Sequence, residues 1–388
     1  MSAKRALAAF RAPDESGAEQ RSWDVVRGAF GGRPAAAPRR SRRRGAGALG
    51  AALLLAGAFA LSPAGATVGR LITRALGVRH ASAALFSLPS GGKLLVSASG
   101  GTWTVAGDGS HRRLGPWSEA SWSPRGIYVV VAARGQLAAV DPRGRLQWGL
   151  ARGDVRDPRW YGPTGYRVAY LSGGDLRVVA GDSSGDHLVA AGVAAVAPAW
   201  RPEHPYQLGF VDRRGRVVVR DGDTGQTLWT AQAGAPIYKL AWSADGRRLL
   251  ALSRSGVRVY SGSGTLIARL AIARGELVID GALSPDGRTV ALVLGGDSGE
   301  VVTEALSTRS ARQVLAGAGL GQVAWSPDGR WLLVSWPAAN QWVFVRVIGT
   351  PRIEAVSRIR QQFTGSGRGQ KAFPQLDGWC CTAAGAAG

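Results

Sequence analysis

The sequence predicts an all-β fold, a seven-bladed β-propeller, for most of this 388-residue chain. The first observation is a recurring phrase, Trp-Ser-Pro-Asp-Gly-Arg or a variant of it. Copies begin at Trp122, Trp242, Leu283 and Trp325, with degenerate copies at Trp160 and Trp200. The second observation is that successive copies are 38, 40, 42, 41 and 42 residues apart. A period of about 40 residues filled with short apolar runs predicts a ring of small sheets.

Residues 1–44 come first and are polar and charged. Within them Trp23, Val26 and Phe30 recur at helical spacing, which predicts a short amphipathic helix too small to fold alone. We expect this segment to lie in the cytoplasm, where these three side chains are candidates for binding a partner by folding on contact.

Residues 45–69 contain no charged residue, a run of 25 positions. Because about 20 apolar residues span a bilayer, this run predicts one transmembrane helix. Five positive charges within Arg39–Arg44 orient it with the N-terminus in the cytoplasm. A cleaved secretory signal is the alternative, since Ala64–Ala66 fits a small-x-small cleavage site. Both interpretations place the repeats outside the cytoplasm, after a linker at 70–80.

The repeats occupy residues 81–363 without a break. The fifth unit is the clearest, because four short strands alternate there with Gly-rich turns, as in one propeller blade. The predicted units lie near 81–115, 117–152, 154–193, 196–235, 238–275, 278–318 and 321–363. Seven blades follow, with six or eight as open alternatives because both ends of the array are ambiguous.

Residues 364–388 are predicted to form a flexible tail, because Gly and Ala dominate both of its ends. Its one apolar segment is Trp379-Cys380-Cys381. Adjacent cysteines paired with each other cannot link distant strands by a disulfide. They are either an incidental pair or a redox-active or intermolecular disulfide in an oxidising compartment.

The recurring phrase has a physical role at each position. Tryptophan ends an inner strand and packs between blades, while Pro-Asp-Gly forms a tight turn in which Asp bonds the backbone ahead. Asp245, Asp286 and Asp328 are therefore expected to be turn residues and not catalytic acids.

Trp325–Arg330, followed by the aliphatic run Leu332–Val334, resembles the WD-like repeats of TolB-type propellers. The resemblance implies a disc that binds partner proteins or peptides on one face. Asp221–Trp229 is similar to a repeat of quinoprotein-like propellers. In that family the phrase is a structural turn between outer strands, so it implies no quinone.

The formal net charge is +22, with 48 basic and 26 acidic residues, and only four of the basic residues are lysine. This arginine excess indicates the coding bias of a GC-rich bacterial genome. A basic surface favours anionic neighbours such as lipid headgroups or acidic wall polymers. Nucleic acid is not expected as a partner, because no basic-aromatic stacking module is visible.

Four arginines lie in or next to the first turn of their units: Arg125, Arg247, Arg288 and Arg330. Rotational repetition would arrange them around one face of the disc, which makes them candidates for partner binding. The alternative is that they are ordinary solvated turn residues.

No catalytic, cofactor-binding or metal-binding residue is predicted. Gly181–Gly185 matches Gly-x-Ser-x-Gly, but strands are predicted on both sides, so a hairpin turn is expected where a nucleophile elbow would need a helix. The same argument applies to Gly295–Gly299. The four histidines are scattered without ligand spacing.

We therefore expect a non-enzymatic, single-pass plasma-membrane protein of the bacterial cell envelope. Its propeller would bind a protein, peptide or envelope polymer, and a variant of this hypothesis adds sensing through the cytoplasmic segment. The alternative is a secreted or envelope enzyme, a hydrolase or quinone-dependent dehydrogenase, which would gather His, Asp or Glu on one rim.

Overall fold

A computed structural model describes residues 81–82, 87–133, 135–162, 166–270, 272–296, 298–363 and 372–381. They form seven sheets of four or five strands, which are the blades of one β-propeller. The predicted fold and the count of seven blades are confirmed. The predicted cytoplasmic segment 1–44, transmembrane helix 45–69 and linker 70–80 lie outside the described residues. Within the described part of the chain, no helix is both long and apolar enough to cross a membrane.

The strands have short, regular lengths. In chain order they are β1 (Ala81–Ser82), β2 (Lys93–Ala98), β3 (Gly101–Val105), β4 (His111–Gly115), β5 (Glu119–Trp122), β6 (Val129–Ala133), β7 (Gln136–Val140), β8 (Leu146–Ala151), β9 (Val155–Trp160), β10 (Arg167–Ser172), β11 (Asp175–Ala180), β12 (His187–Ala190), β13 (Ala199–Trp200), β14 (Gln207–Val211), β15 (Arg216–Asp221), β16 (Thr227–Gln232), β17 (Ile237–Trp242), β18 (Arg248–Ser253), β19 (Gly256–Ser261), β20 (Leu266–Leu270), β21 (Leu277–Leu283), β22 (Thr289–Gly295), β23 (Glu300–Ala305), β24 (Ala311–Ala316), β25 (Val323–Trp325), β26 (Trp331–Trp336), β27 (Gln341–Arg346), β28 (Arg352–Ser357) and β29 (Gln375–Cys380). One short helix, α1 (Ile359–Gln362), follows β28.

Blades 2 to 6 each use four consecutive strands, from an inner strand to an outer one. Blade 2 is β5–β8, blade 3 is β9–β12, blade 4 is β13–β16, blade 5 is β17–β20 and blade 6 is β21–β24. Blade 7 is β25–β28, and β1 adds a fifth strand parallel to β28, with Ala81 opposite Ala355.

Blade 1 differs from the prediction, because its inner strand comes from the other end of the chain. β29 pairs antiparallel with β2, with Trp379 opposite Leu94, so the order is β29-β2-β3-β4. The prediction of a loose tail over 364–388 was therefore wrong for Gln375–Cys380. Without β29, the inner edge of β2 would carry unpaired backbone groups. The predicted unit at 81–115 likewise lacks an inner strand of its own, and β1 belongs to blade 7.

The core lies between the blades, because successive residues of each strand face opposite neighbours. In β2, Leu94 and Val96 pack toward blade 7, whereas Leu95 packs toward blade 2. The contact between blades 7 and 1 is the most aromatic, since Trp342, Phe344, Phe363 and Trp379 meet there.

Cys380 and Cys381 are joined as a disulfide at the end of β29. The sulfur of Cys381 lies 3.6 Å from the carbonyl oxygen of Pro124, in the first turn of blade 2. The pair thus takes part in the contact between the closing blade and its neighbour.

Candidate functional site

Adjacent strands are antiparallel, so the turns after the first and third strands of every blade lie at the same end of the disc. We call this end the Trp-turn face, because the turn after the first strand follows the repeated tryptophan. The turns after the second strands and the connections between blades lie at the opposite end.

The indoles join the inner strands of neighbouring blades, as predicted. Trp242 Nε1 donates to the carbonyl oxygen of Ala199, the residue before Trp200, at 3.1 Å. Trp325 Nε1 donates to Ala282, the residue before Leu283, at 3.0 Å. Each indole therefore reaches the same point in the preceding blade while its rings are largely buried.

The first turns of blades 5, 6 and 7 are built by a serine and an aspartate. In blade 5, Ser243 Oγ donates to Asp245 Oδ1 at 2.5 Å and accepts from the backbone nitrogen of Arg248 at 3.1 Å. The backbone nitrogen of Arg247 donates to the same carboxylate oxygen at 3.0 Å. Blades 6 and 7 repeat these bonds. The prediction that Asp245, Asp286 and Asp328 are turn residues is confirmed.

The pKa values of two of these aspartates follow from the turn. Burial acts to raise the pKa of Asp286, but hydrogen bonds from Ser284 and the backbone of Arg288 outweigh it and hold the pKa below its usual value. The pKa of Asp328 is lowered in the same way, by hydrogen bonds from Ser326 and from the backbone of Arg330. Both carboxylates are charged and act as anchors for the turn.

The four candidate arginines, Arg125, Arg247, Arg288 and Arg330, all lie on the Trp-turn face, and all four side chains are exposed. None forms a salt bridge with a residue that the structure describes. Their position on one face agrees with the sequence analysis, and their role in binding stays a prediction. Trp23, Val26 and Phe30 lie outside the described residues.

The strand register shows that these arginines are not all equivalent. In each blade the last inner-strand residue of the phrase pairs with a residue of the second strand, such as Trp242 with Leu249. We call the residue two positions before that partner the rim position. Arg247, Arg288 and Arg330 occupy it in blades 5, 6 and 7. Arg125 does not, because it stands where those blades have the turn aspartate.

Blades 2, 3 and 4 carry apolar or aromatic residues at the rim position: Ile127, Tyr166 and Tyr206. Ile127 is 55% exposed and Tyr166 is 49% exposed. Sequence reasoning missed this group. The signal was present in the exposed apolar dipeptide Ile127-Tyr128, directly after a turn that should face water.

The aromatic rings of this group are held in place. Tyr128 stacks on Trp160 of the next blade, with centroids 6.2 Å apart and planes 13° from parallel. Tyr166 Oη donates to Asp182 Oδ2 at 2.6 Å. The guanidinium of Arg167 lies 4.7 Å from the Tyr206 ring centroid and pairs with both oxygens of Asp223.

Blade 4 replaces the turn serine with Arg201, which binds the next blade. Its Nε donates to the carbonyl oxygen of Gly246 at 2.7 Å, and its guanidinium lies 5.1 Å from the Trp242 ring centroid. Arg201 is therefore occupied within the fold and is not part of the exposed basic group.

A cleft of about 350 Å³ opens between blades 6 and 7 on the Trp-turn face. Asp286, Arg312, Asp328 and Ile348 are among the residues that line it. Because both carboxylates already anchor turns, the cleft offers Arg312 and several hydroxyl groups to a ligand.

Polar side chains of the inner strands connect neighbouring blades around the central channel. Asp280 accepts from Lys239 Nζ at 2.7 Å and from the backbone nitrogen of Val323 at 3.0 Å. Gln322 Oε1 accepts from the backbone nitrogen of Leu376 at 2.7 Å. These bonds span blades 5, 6, 7 and 1, so the side chains have a structural role in closing the ring.

Two channel carboxylates have raised pKa values. Burial raises the pKa of Glu119, against a hydrogen bond from the backbone of Asp157. Burial raises the pKa of Asp377 to about 7, against a hydrogen bond from Ser97 Oγ at 2.5 Å. Glu119 also disfavours the charged form of Asp377, whereas Arg159 favours it.

The described histidines do not join these carboxylates. His111 packs against Trp103 and Phe363, and the ring nitrogens of His187 contact the carbonyl oxygens of Gly185 and Gly222. Burial lowers the pKa of His204, which lies in blade 4. Within the described ranges no three His, Cys, Asp or Glu side chains could hold a metal ion.

The two glycine-rich motifs are turns, as predicted. Gly181–Gly185 connects β11 to β12, and Asp182 there accepts from Ser184, which with Tyr166 lowers its pKa to about 2. The described residues of Gly295–Gly299, all but Asp297, lie between the body of β22 and the start of β23. Asp221 Oδ1 accepts from the backbone of Asp223 and Thr224, so the quinoprotein-like phrase is also a structural turn.

No protein-family model matches the chain, and no curated protein sequence matches it. Solved structures do match the chain in fold. KlHsv2 with loop 6CD replaced by a Gly-Ser linker aligns with a TM-score of 0.54 at 14% identity, over 68% of this chain and 93% of that one. The C-terminal WD40 domain of Sif2 aligns with a TM-score of 0.50 at 14% identity, over 61% and 70%.

Kuenenia stuttgartiensis hydrazine synthase aligns with a TM-score of 0.49 at 14% identity, over 59% of this chain and 76% of that one. At this identity the alignments concern the fold alone. The chain is thus a seven-bladed β-propeller with WD40-like structural neighbours.

Proposed function

We propose that this propeller is a non-enzymatic binding module that docks a partner protein, peptide or anionic envelope polymer on its Trp-turn face. The observation that carries the proposal is the group of four exposed arginines on that face, none of which is paired with a described carboxylate. Guanidinium groups pair bidentately with carboxylates and phosphates, and these four are free to do so. The WD40-like neighbours support the proposal only at the level of the scaffold.

The test measures binding of fluorescein-labelled poly-L-glutamate by fluorescence anisotropy. Replacing Arg125, Arg247, Arg288 and Arg330 with serine should weaken binding about tenfold and reduce its salt dependence. The matched control replaces four exposed arginines at or near the opposite end: Arg213, Arg214, Arg269 and Arg274. Because the net charge of +22 attracts any polyanion, the proposal requires the first variant to lose clearly more affinity than the control. Equal losses would refute it.

The proposal includes a place for the protein in the cell. The uncharged run 45–69, with the arginines before it, supports a single-pass plasma-membrane protein whose propeller is outside the cytoplasm. A carboxyl-terminal alkaline phosphatase fusion should be active in cells, and the protein should stay with membranes after carbonate washing. An inactive fusion, or release of the intact chain into the medium, would contradict this placement.

The cytoplasmic segment 1–44 supports the sensing variant of the proposal. Trp23, Val26 and Phe30 are spaced for one face of a short helix that could fold against a partner. In the full-length protein, crosslinking should capture one discrete cytoplasmic partner, and Trp23→Ala should abolish the capture. Equal capture by the wild type and the variant would remove the sensing role.

An envelope hydrolase is the second candidate, and the pKa of about 7 for Asp377, a value to which the charge of Glu119 contributes, favours it. A carboxyl group that is partly protonated near neutral pH can act as a general acid. If the protein hydrolyses p-nitrophenyl esters or glycosides, Asp377→Asn should slow the reaction about a hundredfold. Turnover with this sensitivity would refute the non-enzymatic function.

A further inference from the structure

The rim position divides the Trp-turn face into two halves. Blades 5, 6 and 7 carry the basic half, Arg247, Arg288 and Arg330, and blades 2, 3 and 4 carry the aromatic half, Ile127, Tyr166 and Tyr206. The same structural position therefore changes from cationic to apolar halfway around the disc. Each class occupies three consecutive blades, and blade 1, which separates blade 7 from blade 2, carries Gly92 at this position.

In the first turns of blades 2 and 3, three apolar or aromatic side chains are exposed and two of them are held in place, a combination that favours docking. Ile127, Tyr128 and Tyr166 are 55%, 38% and 49% exposed. Stacking on Trp160 holds Tyr128, and the hydrogen bond to Asp182 holds Tyr166. Side chains that are already ordered lose little conformational entropy on binding, and tyrosine is enriched among residues that dominate interface energies.

The other exposed apolar side chains of the described residues are arranged differently. Several lie one to a blade on outer strands, including Leu146, Leu188, Leu228 and Ile353. Singly scattered residues of this kind are ordinary on protein surfaces. These residues follow the third turns, and Ile348, which is 58% exposed, lies in the third turn of blade 7. The group on blades 2 and 3 differs because Ile127, Tyr128 and Tyr166 belong to the first turns of two neighbouring blades.

Charge indicates the chemistry of the occupant. The basic half presents three guanidinium groups without a described ion-pair partner. In the aromatic half Arg167 is paired with Asp223, and the charged Asp182 lies beside Tyr166, so carboxylates of a ligand are directed to the basic half. Arg125, exposed beside Ile127, adds one positive charge at the edge of the aromatic half. An acidic segment satisfies the first half, and an apolar side chain satisfies the second.

We propose that the Trp-turn face binds an extended acidic segment of a partner protein that carries aromatic or large apolar side chains next to its carboxylates. The carboxylates pair with the basic half, and the aromatic or apolar side chains pack on Ile127, Tyr128 and Tyr166. This inference rests on the proposed function, because it names the partner class for the same face.

The test compares two labelled probes by fluorescence anisotropy: poly-L-glutamate and a glutamate-rich random copolymer of glutamate and tyrosine. The wild type should bind the copolymer about tenfold more tightly, because burial of an aromatic anchor contributes at least about 1.4 kcal/mol. The double variant Ile127→Ser with Tyr166→Ser should bind both probes alike, at the wild-type affinity for poly-L-glutamate.

Two further variants separate this inference from the proposed function. Replacing Arg247, Arg288 and Arg330 with serine should weaken the binding of both probes. Replacing Arg213, Arg214 and Arg274 at the opposite end with serine removes the same charge and should weaken the binding of neither probe by more than about twofold. Thermal melts of every variant check the fold.

The outcomes are distinct. If the wild type binds both probes equally and the double variant changes nothing, while the basic half is still required, the inference is overturned and the proposed function stands. If the basic-half variant and its control lose the same affinity for the probes, the inference and the proposed function are both overturned. A copolymer preference that disappears in the double variant, together with a requirement for the basic half, supports both.

Discussion

Blades 5–7 and blades 3 and 4 carry their first turns on the same face but complete them by different interactions. Blade 2 is intermediate, because Ser123 Oγ still accepts from the backbone nitrogen of Tyr128 at 2.9 Å but Arg125 stands in place of the aspartate. In blades 5–7 a serine hydroxyl and an aspartate carboxylate satisfy the backbone of the turn, as Ser326 and Asp328 do in blade 7. In blade 3 the serine position is taken by Tyr161, whose ring packs against Trp200 and Tyr206. An indole ends the inner strand of every blade from 2 to 7 except blade 6, which has Leu283 there. Tyr161 is itself buried, so the first turns differ in the core as well as at the surface.

This difference separates positions that hold the turn from positions that face the ligand. Ser243 and Ser326 are fully buried, whereas Arg247 and Arg330 are exposed. A solvent-facing side chain contributes little to folding and can change from arginine to tyrosine without altering the strands. The rim position is therefore where blades can specialise.

The largest expected effect tests whether the two halves share one core. Trp325→Ala in blade 7 and Trp160→Ala in blade 3 should each lower the free energy of unfolding by about 3–5 kcal/mol, because both indoles are 9% exposed and fill the space between blades. Urea denaturation followed by tryptophan fluorescence measures both. A loss under about 1 kcal/mol in one half alone would show that its blades pack by another interaction.

The next effect concerns the hydrogen-bonded turn of blades 5–7. Ser326→Ala should cost about 1–3 kcal/mol, because the buried hydroxyl bonds both Asp328 and the backbone nitrogen of Trp331. Ser310→Ala, at an exposed serine in an outer turn of blade 6, is the control and should stay within about 0.5 kcal/mol. Equal small effects would mean that the turn does not need the hydroxyl.

A pH titration separates the turn aspartates from the carboxylate of the closing strand. Asp286 and Asp328 have lowered pKa values, so their contribution to stability is present above the unfolded pKa and is lost as the pH falls through the folded one. The pKa of Asp377 is shifted in the opposite direction, so its effect on stability has the opposite dependence on pH. Its pKa of about 7, raised from 3.8, makes the folded state bind more protons, so its contribution decreases as the pH rises from about 4 to 7.

Asp377→Asn should therefore flatten the melting temperature between about pH 4 and pH 7 and raise it above pH 7. Differential scanning calorimetry of the wild type and the variant across this range gives the comparison. A variant that melts below the wild type at pH 8 would show that the ionised carboxylate contributes favourable interactions in the channel.

The smallest effect on stability is expected at the rim itself. Ile127→Arg places a fourth arginine at the rim position, in blade 2, and should change the free energy of unfolding by less than about 0.5 kcal/mol, since the side chain is 55% exposed. The same variant should bind poly-L-glutamate about two- to threefold more tightly. A large loss of stability would mean that Ile127 packs within the fold and does not serve the surface.

Some features of the candidate site were predictable from the repeated phrase. The alternation of short strands and the turn role of Asp245, Asp286 and Asp328 required only local chemistry, and the exposure of Arg247, Arg288 and Arg330 followed from it. The phrase did not predict which residues of the first turns are structurally equivalent from blade to blade. Val129 comes seven residues after its partner Trp122, whereas Val168 comes eight residues after Trp160, so aligning the phrases misplaces the rim position.

The closing strand was missed for a related reason. The composition of 364–388 predicts a tail, and nothing local reveals that Leu94 pairs with Trp379. The indole of Trp379 was the available signal, because it completes the series of inner-strand tryptophans one blade beyond Trp325.

The sequence by itself determined the period, the propeller class and the chemistry of the Asp-Gly turns, because strand propensity, turn residues and indole spacing act over a few neighbours. Only the tertiary structure decided how the ring closes and which side chains share the rim, because those depend on pairing register between segments far apart in the chain. Hydrogen-bond register places Tyr166 and Tyr206, six residues after their tryptophans, at the position that Ile127 and the three rim arginines occupy five residues after the first residue of their phrases.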